Sequence, residues 1–397
     1  MRSFRLALAA AVLACAAAPA LAETPLFVLE PTWTDPATGQ SITRRLTFDT
    51  VGDLVDGVDI DTLSASLGVD LTTIDRITAD AYIRGLPATI AYDGTEIVLQ
   101  VPAAGVERRF GTTAADRDAA QEELEAYLEG EGNGTLTQIL KAAAARTALD
   151  PVAGNPASLM SRMAAGMHDA GTRALDADGL VVGLAADGMK IGADGTDVRS
   201  MTATPTIGWG FANGWTLALD MPLTWQKTED ADTWSGQLSL GLTMPVTESW
   251  SLTPSVSAGA VGSVDLGAGA VLTGGALTSR YEAALTERLS LVIGNTAGVF
   301  TTVPVTVGDY EVDYDLTNVV ARNGITAVYD TGAQAFDAPL RLSLGITDTR
   351  FFGDALYSES YEEITVGVSA GRAAAGIGAI FGEGDITGIT GRVRVAF

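Results

Sequence analysis

His168 is the only histidine of the chain and Cys15 the only cysteine, so the side chains that most often relay protons or attack carbonyls are nearly absent. A Ser/His/Asp or Cys/His nucleophile needs an imidazole beside it as base. A Cys/His zinc centre needs four such ligands, which this composition cannot supply. Carboxylates remain. Asp313 with Asp315, or Glu362 with Glu363, have the residue types of an acid/base pair. Adjacent residues of a strand point to opposite faces, however, so Glu362 and Glu363 cannot converge if they lie in one. Glu229, Asp230 and Asp232, and upstream Asp56, Asp59 and Asp61, offer oxygen ligands to a hard cation. They lack the glycine and closing glutamate of an EF-hand loop and read as solvated acids. No metal, no cofactor and no catalytic residue is expected.

The elements that would position these groups start at the N-terminus. Arg2 and Arg5 precede an apolar run from Leu6 to Ala18, and Ala20-Leu21-Ala22 stands before Glu23. This is the layout of a secretory signal peptide over residues 1–22, cut near Ala22. The run is too short to span a bilayer as a helix. An alternative makes Cys15, after Val12-Leu13-Ala14, a lipoprotein acceptor, but Ala16 to Ala22 would be an oddly apolar mature start. Cleavage leaves residues 23–397 without a cysteine.

The 397 residues carry 24 Lys and Arg against 49 Asp and Glu, a formal charge of −25 that phosphate backbones would repel. Nucleic acid is therefore excluded as a partner. Apolar residues make up 47% of the chain and the mean hydropathy is +0.23, yet no apolar block follows the signal. Period two explains this. Trp215, Leu217, Leu219, Met221, Leu223 and Trp225 alternate with Thr216, Ala218, Asp220, Pro222 and Thr224. The same period runs through 201–211, 234–246, 250–260, 289–299, 340–346 and 364–370, and it ends at Val393, Val395 and Phe397. About twelve such segments fit the ~10-residue strands of a membrane barrel. A soluble sandwich would put charges on its outer face. Here the second register is mostly Thr, Ser, Gly and Ala, as a crowded lumen requires.

Trp209, Trp215 and Trp250 gather at one set of turns, and Trp225 and Trp234 at the other. Trp215 and Trp225 stand ten residues apart, which at ~3.3 Å per residue and a ~40° tilt is roughly 25 Å, the height of a barrel's apolar band. These tryptophans are the expected membrane-interface aromatics, facing outer-membrane lipid. Tight turns at 212–214, 247–249 and 286–288 alternate with longer connections at 228–232, 304–309 and 352–360. The 331–338 connection is expected to be a longer exception among the tight set.

The fold class is thus mainly β: an antiparallel transmembrane barrel over residues 179–397, a small α+β region over 23–150, and a helical linker or lumen plug over 151–178. In the first region, Ala88–Tyr92 and Glu96–Val101 flank Asp93-Gly94 as a hairpin. One helix is expected after Thr113, with Ala120, Leu124 and Leu128 on one face, and a second through Leu136, Ile139, Leu140 and Ala143. A third starts at Asn155-Pro156, an N-cap before a helix-starting proline. It is rich in alanine and methionine, with Leu159, Met163 and Met167 in a stripe beside Met160. The stripe is expected to pack in the core of the small N-terminal region, with lumen insertion the alternative. His168, on the same helix, is expected to face solvent, with the lumen as the alternative.

Arg392 and Arg394 lie on the inward register of the last strand, and Arg341 takes the same register near the tight-turn end of its own. They are expected to anchor an acidic helix through Asp150, Asp169 or Asp176, or to tune anion passage; the alternative is ion pairing with strand acids.

Val393, Val395 and terminal Phe397 look like the C-terminal strand signature of bacterial outer-membrane barrels. That resemblance implies recognition by the barrel-assembly machinery. A signal peptide, an N-terminal region, an alanine-rich helix and about twelve C-terminal strands also resemble the autotransporter translocator arrangement. This second resemblance covers roughly residues 155–397. It implies a helix threading the lumen and an N-terminal region that reaches the cell surface. Residues 23–150 lack the long β-helical repeat common in passengers of that family. Barrel hydrolases and acyltransferases of known families generally use a catalytic histidine, and the strand region has none. The expected function is an outer-membrane barrel of a Gram-negative bacterium that anchors or exports its own N-terminal region. The alternatives are a porin-like passive channel with a periplasmic N-terminal region, or a structural or adhesive surface protein whose residues 23–150 bind a partner.

Overall fold

The computed structural model describes residues 26–50, 53–54, 60–70, 77–83, 85–92, 96–111, 123, 133–148, 150–173, 179–193, 195–307 and 310–397. The helix expected after Thr113 and the Asp93-Gly94 turn lie outside the described residues, as does the signal segment.

Among the described residues, seven short strands build the N-terminal sheet: β1 (Phe27–Thr34), β2 (Ser41–Thr43), β3 (Leu46–Phe48), β4 (Ile77–Ile83), β5 (Leu86–Tyr92), β6 (Ile97–Val101) and β7 (Val106–Phe110). Their order is β2-β1-β4-β5-β6-β7, with β3 also on β1. Helices α1 (Ile60–Leu67) and α2 (Asn133–Arg146) accompany them, and α3 (Leu159–Thr172) follows. The start of α3 differs from the sequence reading. Asn155 closes a turn instead: its amide donates to the Asp150 carbonyl at 2.7 Å and its Oδ1 accepts from the Ala157 N–H at 2.9 Å. Ser158, in extended backbone, is the N-cap and accepts from the Ser161 N–H.

The remainder is the barrel. Its strands are β8 (Gly179–Ala193), β9 (Thr196–Gly210), β10 (Thr216–Asp220), β11 (Leu223–Thr228), β12 (Ala231–Pro245), β13 (Trp250–Ser263), β14 (Ala268–Ala284) and β15 (Leu289–Val303). A loop hairpin, β16 (Val305–Val307) with β17 (Tyr310–Val312), precedes β18 (Thr317–Ala335), β19 (Ala338–Gly353), β20 (Ser360–Ala370), β21 (Ala373–Gly382) and β22 (Thr387–Ala396). The crossing strands pair antiparallel in chain order, β15 with β18 across the loop hairpin, and β22 returns to β8, with Arg392 opposite Asp187. β10 and β11 are two halves of one crossing strand, interrupted where Pro222 has no N–H to give. The ladder bridges that gap through Met221 N–H to the Pro205 carbonyl and Gln237 N–H to the Pro222 carbonyl. The barrel thus closes with 12 strands.

Alternation sets its two faces. On β12, Trp234, Leu238 and Leu240 stay exposed while Gln237 and Ser239 turn inward and are buried. The same outward apolar register continues through Ile207 on β9, Val256 on β13, Leu344 on β19 and Ile377 on β21. An exposed apolar surface on every strand is what a hydrocarbon solvent requires. No helix among the described residues is long and apolar enough to cross a membrane.

Both barrel termini lie at one end, with the short turns. Phe336 and Asp337, at φ of 55° and 59°, make a two-residue turn there. The longer connection expected over 331–338 is absent: β18 runs on to Ala335 and meets β19 again after a bulge between Asp330 and Gln334.

At the opposite end the barrel meets the N-terminal sheet. Phe27, Leu29, Leu86 and Leu99 share one buried cluster with Ala231, Leu266 and Ala268, which belong to the upper turns of the barrel. α2 is the joint. Ile139 and Ala142 pack into that cluster, while Leu140 and Ala144 pack into the barrel's interior. The backbone is stitched as well, with Tyr357 N–H donating to the Ala144 carbonyl at 3.0 Å. Lys141 holds Asp354 at 2.7 Å and Asp315 at 3.4 Å.

The joint is therefore pH-dependent. Burial works against both charges, but the pairing outweighs it: Asp354, which also accepts the Thr317 N–H, is held below the usual carboxylate range, and Lys141 is raised. A lowered carboxylate pKa contributes stability above its unfolded value, about 3.9, and loses it as pH falls through the folded value. A raised lysine contributes below about 10.4 and loses it as pH rises further. Hydrogen-exchange protection of the Tyr357 amide should stay flat between those limits and fall outside them. The same profile in an Asp354→Asn chain would sink this account.

Candidate functional site

α3 occupies the barrel lumen. The helix packs on the wall made by β12 to β15 and β18. Met160, Met163 and Met167 are fully buried there, in one cluster with Val261, Leu272 and Phe300 of the barrel's inner face. This corrects their expected place in the small N-terminal core. That core is closed by α2 and the upper turns, whereas the wall of β13 to β15 offers the apolar surface that a methionine stripe needs.

Glycines let the helix come close. A Cβ on Gly171 would lie 2.5 Å from Thr278, one on Gly294 would lie 2.4 Å from Thr172, and one on Gly259 would lie 3.2 Å from Leu159. His168 fits over Gly294 and Gly324, its Nδ1 hydrogen-bonded to the Thr296 hydroxyl at 2.9 Å. It is buried against the wall and not in solvent as expected. The space left by two glycines accounts for this.

The lumen has two storeys. Around the start of α3, Val152, Ala153 and Ala157 meet Ile191, Tyr314, Leu316 and Ile380, all fully or almost fully buried. This apolar ceiling sits at the end that carries the N-terminal sheet. Below it the lumen is polar, and on the side away from β13 and β14 a cavity of about 450 Å³ runs beside α3 from Pro156 to Arg173.

Ion pairs line that cavity. Arg392 binds both Asp169 of α3 and Asp187 of β8. Arg173, just after α3, holds Asp220 at 3.2 Å, and Asp220 also accepts from Thr206. Arg280 donates to the Thr172 carbonyl at 3.0 Å, tying down the helix end. Arg322 reaches Glu363 at 3.0 Å, Thr349 at 2.7 Å and the Tyr361 hydroxyl at 3.3 Å. Among the described residues Arg162 has only neutral partners, Ser235 at 2.7 Å and Gln226 at 3.3 Å.

The arginines chosen from sequence divide accordingly. Arg392 meets Asp169; Asp150 instead caps Val152 and Ala153 at the ceiling, and Asp176 lies outside the described residues. Arg394 lines the cavity and has no hydrogen-bond or ion-pair partner among the described residues. Arg341 stands exposed near the terminal end, also unpaired. Trp209, Trp215, Trp234 and Trp250 are exposed on the outer face, and Trp225 is half-buried beside Trp234 with its indole N–H on Asp232 at 2.9 Å. Val393, Val395 and Phe397 take the outward register of β22, and Phe397 N–H donates to the Val182 carbonyl at 2.7 Å.

Three features escaped the sequence reading: the Arg322–Glu363 pair, the Arg173–Asp220 pair and the neutral setting of Arg162. A signal for the first existed. Arg322 shares its register with Val320 and Gly324, so a charge there must point into the lumen. Glu363 points inward and Glu362 outward, so they form no acid/base pair. Asp315 engages Lys141, and Asp313 accepts the Asp315 N–H. Among the described residues no group of His, Cys, Asp and Glu could hold a metal ion.

No family model and no curated protein matches the chain. Among solved structures it is similar to the β domain of the Bordetella autotransporter BrkA, at 12% identity over 55% of this chain and 99% of that one, with a TM-score of 0.43. It is similar to the translocator domain of the autotransporter NalP from Neisseria meningitidis, at 15% identity over 60% and 94% of the two chains, TM-score 0.40. An outer membrane channel from Pseudomonas putida F1 matches at 13% identity over 57% and 98%, TM-score 0.40.

Proposed function

We propose that this chain is an outer-membrane barrel that threads its own helix through the lumen and anchors its N-terminal region at the cell surface. The observation that carries the reading is the direction of α3. Its start lies under the ceiling beside the N-terminal sheet, and its end, at Arg173, lies toward the short-turn end where both barrel termini sit. Short turns face the periplasm and longer loops the exterior in such barrels. The longer connections here, 304–316 and 354–359, lie at the end that carries the N-terminal sheet, which supports a surface location for that sheet. Outer-membrane lipid on the apolar belt and assembly machinery on Phe397 are the partners this reading needs. It assigns no reaction to the chain: His168 serves a wall contact.

Shaving of intact cells tests it. Arg108 and Arg109 are exposed on β7, so trypsin should remove the N-terminal sheet from unpermeabilised cells while the barrel resists. Protection until the outer membrane is opened would overturn the reading. It would favour the second one, a porin-like channel with a periplasmic N-terminal region, for which the cavity beside α3 is the supporting observation. The apolar ceiling argues against free passage of solutes.

A further inference from the structure

The lower lumen holds more guanidinium donors than its acids can satisfy. Asp169 and Asp187 are both taken by Arg392, Asp220 by Arg173 and Thr206, and Glu363 by Arg322. Besides Arg162 on its neutral partners and the Nε of Arg322 beside Glu363, two donor sets are left over: Arg394, which has no hydrogen-bond or ion-pair partner among the described residues, and the Nε of Arg173, buried without one although its side chain is 10% exposed. Both residues line the same cavity.

Register shows what separates them. Across the sheet one row reads Arg341, Ser369, Ala374, Arg394, Ala185, Thr204. The row contains no acid, and every residue between its cations is small. Asp330, beyond Arg341, has its carboxylate on the Gly332 N–H at 2.9 Å. Arg173 approaches from the helix side through Asp220, which pairs with Thr206, the next inward residue after Thr204 on β9. With strands ~4.8 Å apart, Arg394 and Asp220 are separated by roughly 14 Å, which two arginine side chains reaching inward narrow to the span of a few atoms. The floor beneath that gap is the Ala185 methyl and the Thr204 hydroxyl.

We propose that this gap, between Arg394 and Arg173 above Ala185 and Thr204, binds a small oxyanion of the phosphate or carboxylate class that enters from the short-turn end. An acceptor-only ligand satisfies both leftover donor sets, and a guanidinium is shaped to take two oxygens of one anion. The ceiling at the far end makes the cavity a blind vestibule, so an anion dwells there and does not pass through. The site requires only the barrel and its helix, whichever surface the N-terminal sheet faces.

The full chain in uncharged detergent, titrated with inorganic phosphate at constant ionic strength, should broaden the ³¹P resonance in a saturable way. Arg394→Gln should weaken that binding at least about tenfold. Ala185→Glu, which places a carboxylate opposite Arg394, should do the same by supplying the anion from within, and it keeps the test meaningful if Arg394→Gln folds poorly. Arg350→Gln, on the outer wall, should leave it unchanged. Displacement by glycerol phosphate marks a headgroup-type ligand and displacement by acetate a free carboxylate; both support the site. No saturable broadening in the parent chain, or binding by the Arg394→Gln and Ala185→Glu chains as tight as the parent's, overturns it.

Discussion

A Gly171→Leu chain is expected to open its lumen about a hundredfold more often than the parent. The Cβ that any residue other than glycine brings to position 171 would sit 2.5 Å from Thr278 Cβ and 2.6 Å from its methyl, and leucine adds three more carbons in the same direction. Neither side can yield cheaply. Thr278 lies on β14, laddered to β13 and β15 along its length, and the helix end is held by Arg280 on the Thr172 carbonyl. Overpacking a close contact costs about 1–3 kcal/mol, and a figure near 3 corresponds to roughly a hundredfold in an equilibrium. The readout can be clean because residues 23–397 contain no cysteine. Met163→Cys, at a fully buried position, should react slowly with a water-soluble maleimide in the parent and about a hundredfold faster with Gly171→Leu. Ala165→Leu is the control, since Ala165 faces the cavity and a leucine there has room. Equal labelling of the Gly171→Leu and Ala165→Leu chains would mean that helix and wall are not the close fit described.

That fit explains why the helix lies off the barrel axis. A central helix would touch the wall only through long side chains. Here glycines on both partners bring α3 onto β13 to β15, so the methionines are covered on all sides, and the space given up on the far wall becomes the cavity. The apolar and the ionic attachments then lie on opposite faces of one helix. Met160, Met163 and Met167 hold by burial, while Asp169 holds by charge on β22 and the flanking Arg173 on β10.

The barrel was legible in the sequence because its two solvents differ. Each strand carries a lipid register and a lumen register, and a period of two survives whatever the tertiary details, so Leu238 and Leu240 could be told from Gln237 and Ser239. Arg392 was found on the same ground. What period two cannot show is which lumen residues meet the helix. Asp169 reaches Arg392, across more than two hundred positions of sequence, through the placement of α3 alone. A periodic apolar face reports that it is buried and not by what, so the pattern of the methionine stripe does not choose between the N-terminal core and the lumen. The burial of His168 is not legible in the sequence because the two glycines on the facing strands that make room for it, Gly294 and Gly324, leave no mark in a hydrophobic pattern. The Phe336–Asp337 turn was missed because its bulge hides the strand continuing past Asp330.

Glu363→Ala should destabilise the barrel by about 3 kcal/mol, while Glu362→Ala, one residue away, should cost no more than about 0.5 kcal/mol. The contrast follows from strand alternation. Glu362 is exposed on the outer face, whereas Glu363 turns inward and is the counter-charge of Arg322, whose side chain is 6% exposed. Removing the carboxylate leaves the guanidinium with the Thr349 and Tyr361 oxygens, neither of which carries a charge, and its Nε already has no partner. Uncompensated buried charges cost about 3–5 kcal/mol, and the low end applies because the cavity beside the pair admits water. Glu363→Gln keeps an acceptor without the charge and should fall between parent and alanine. In the Glu363→Ala, Arg322→Leu double variant both charges are gone, so most of the loss should return. Urea midpoints of the barrel in detergent measure all four. If the double variant is less stable than Glu363→Ala, Arg322 holds the wall through its hydroxyl contacts and the pair is not what stabilises that part of the lumen.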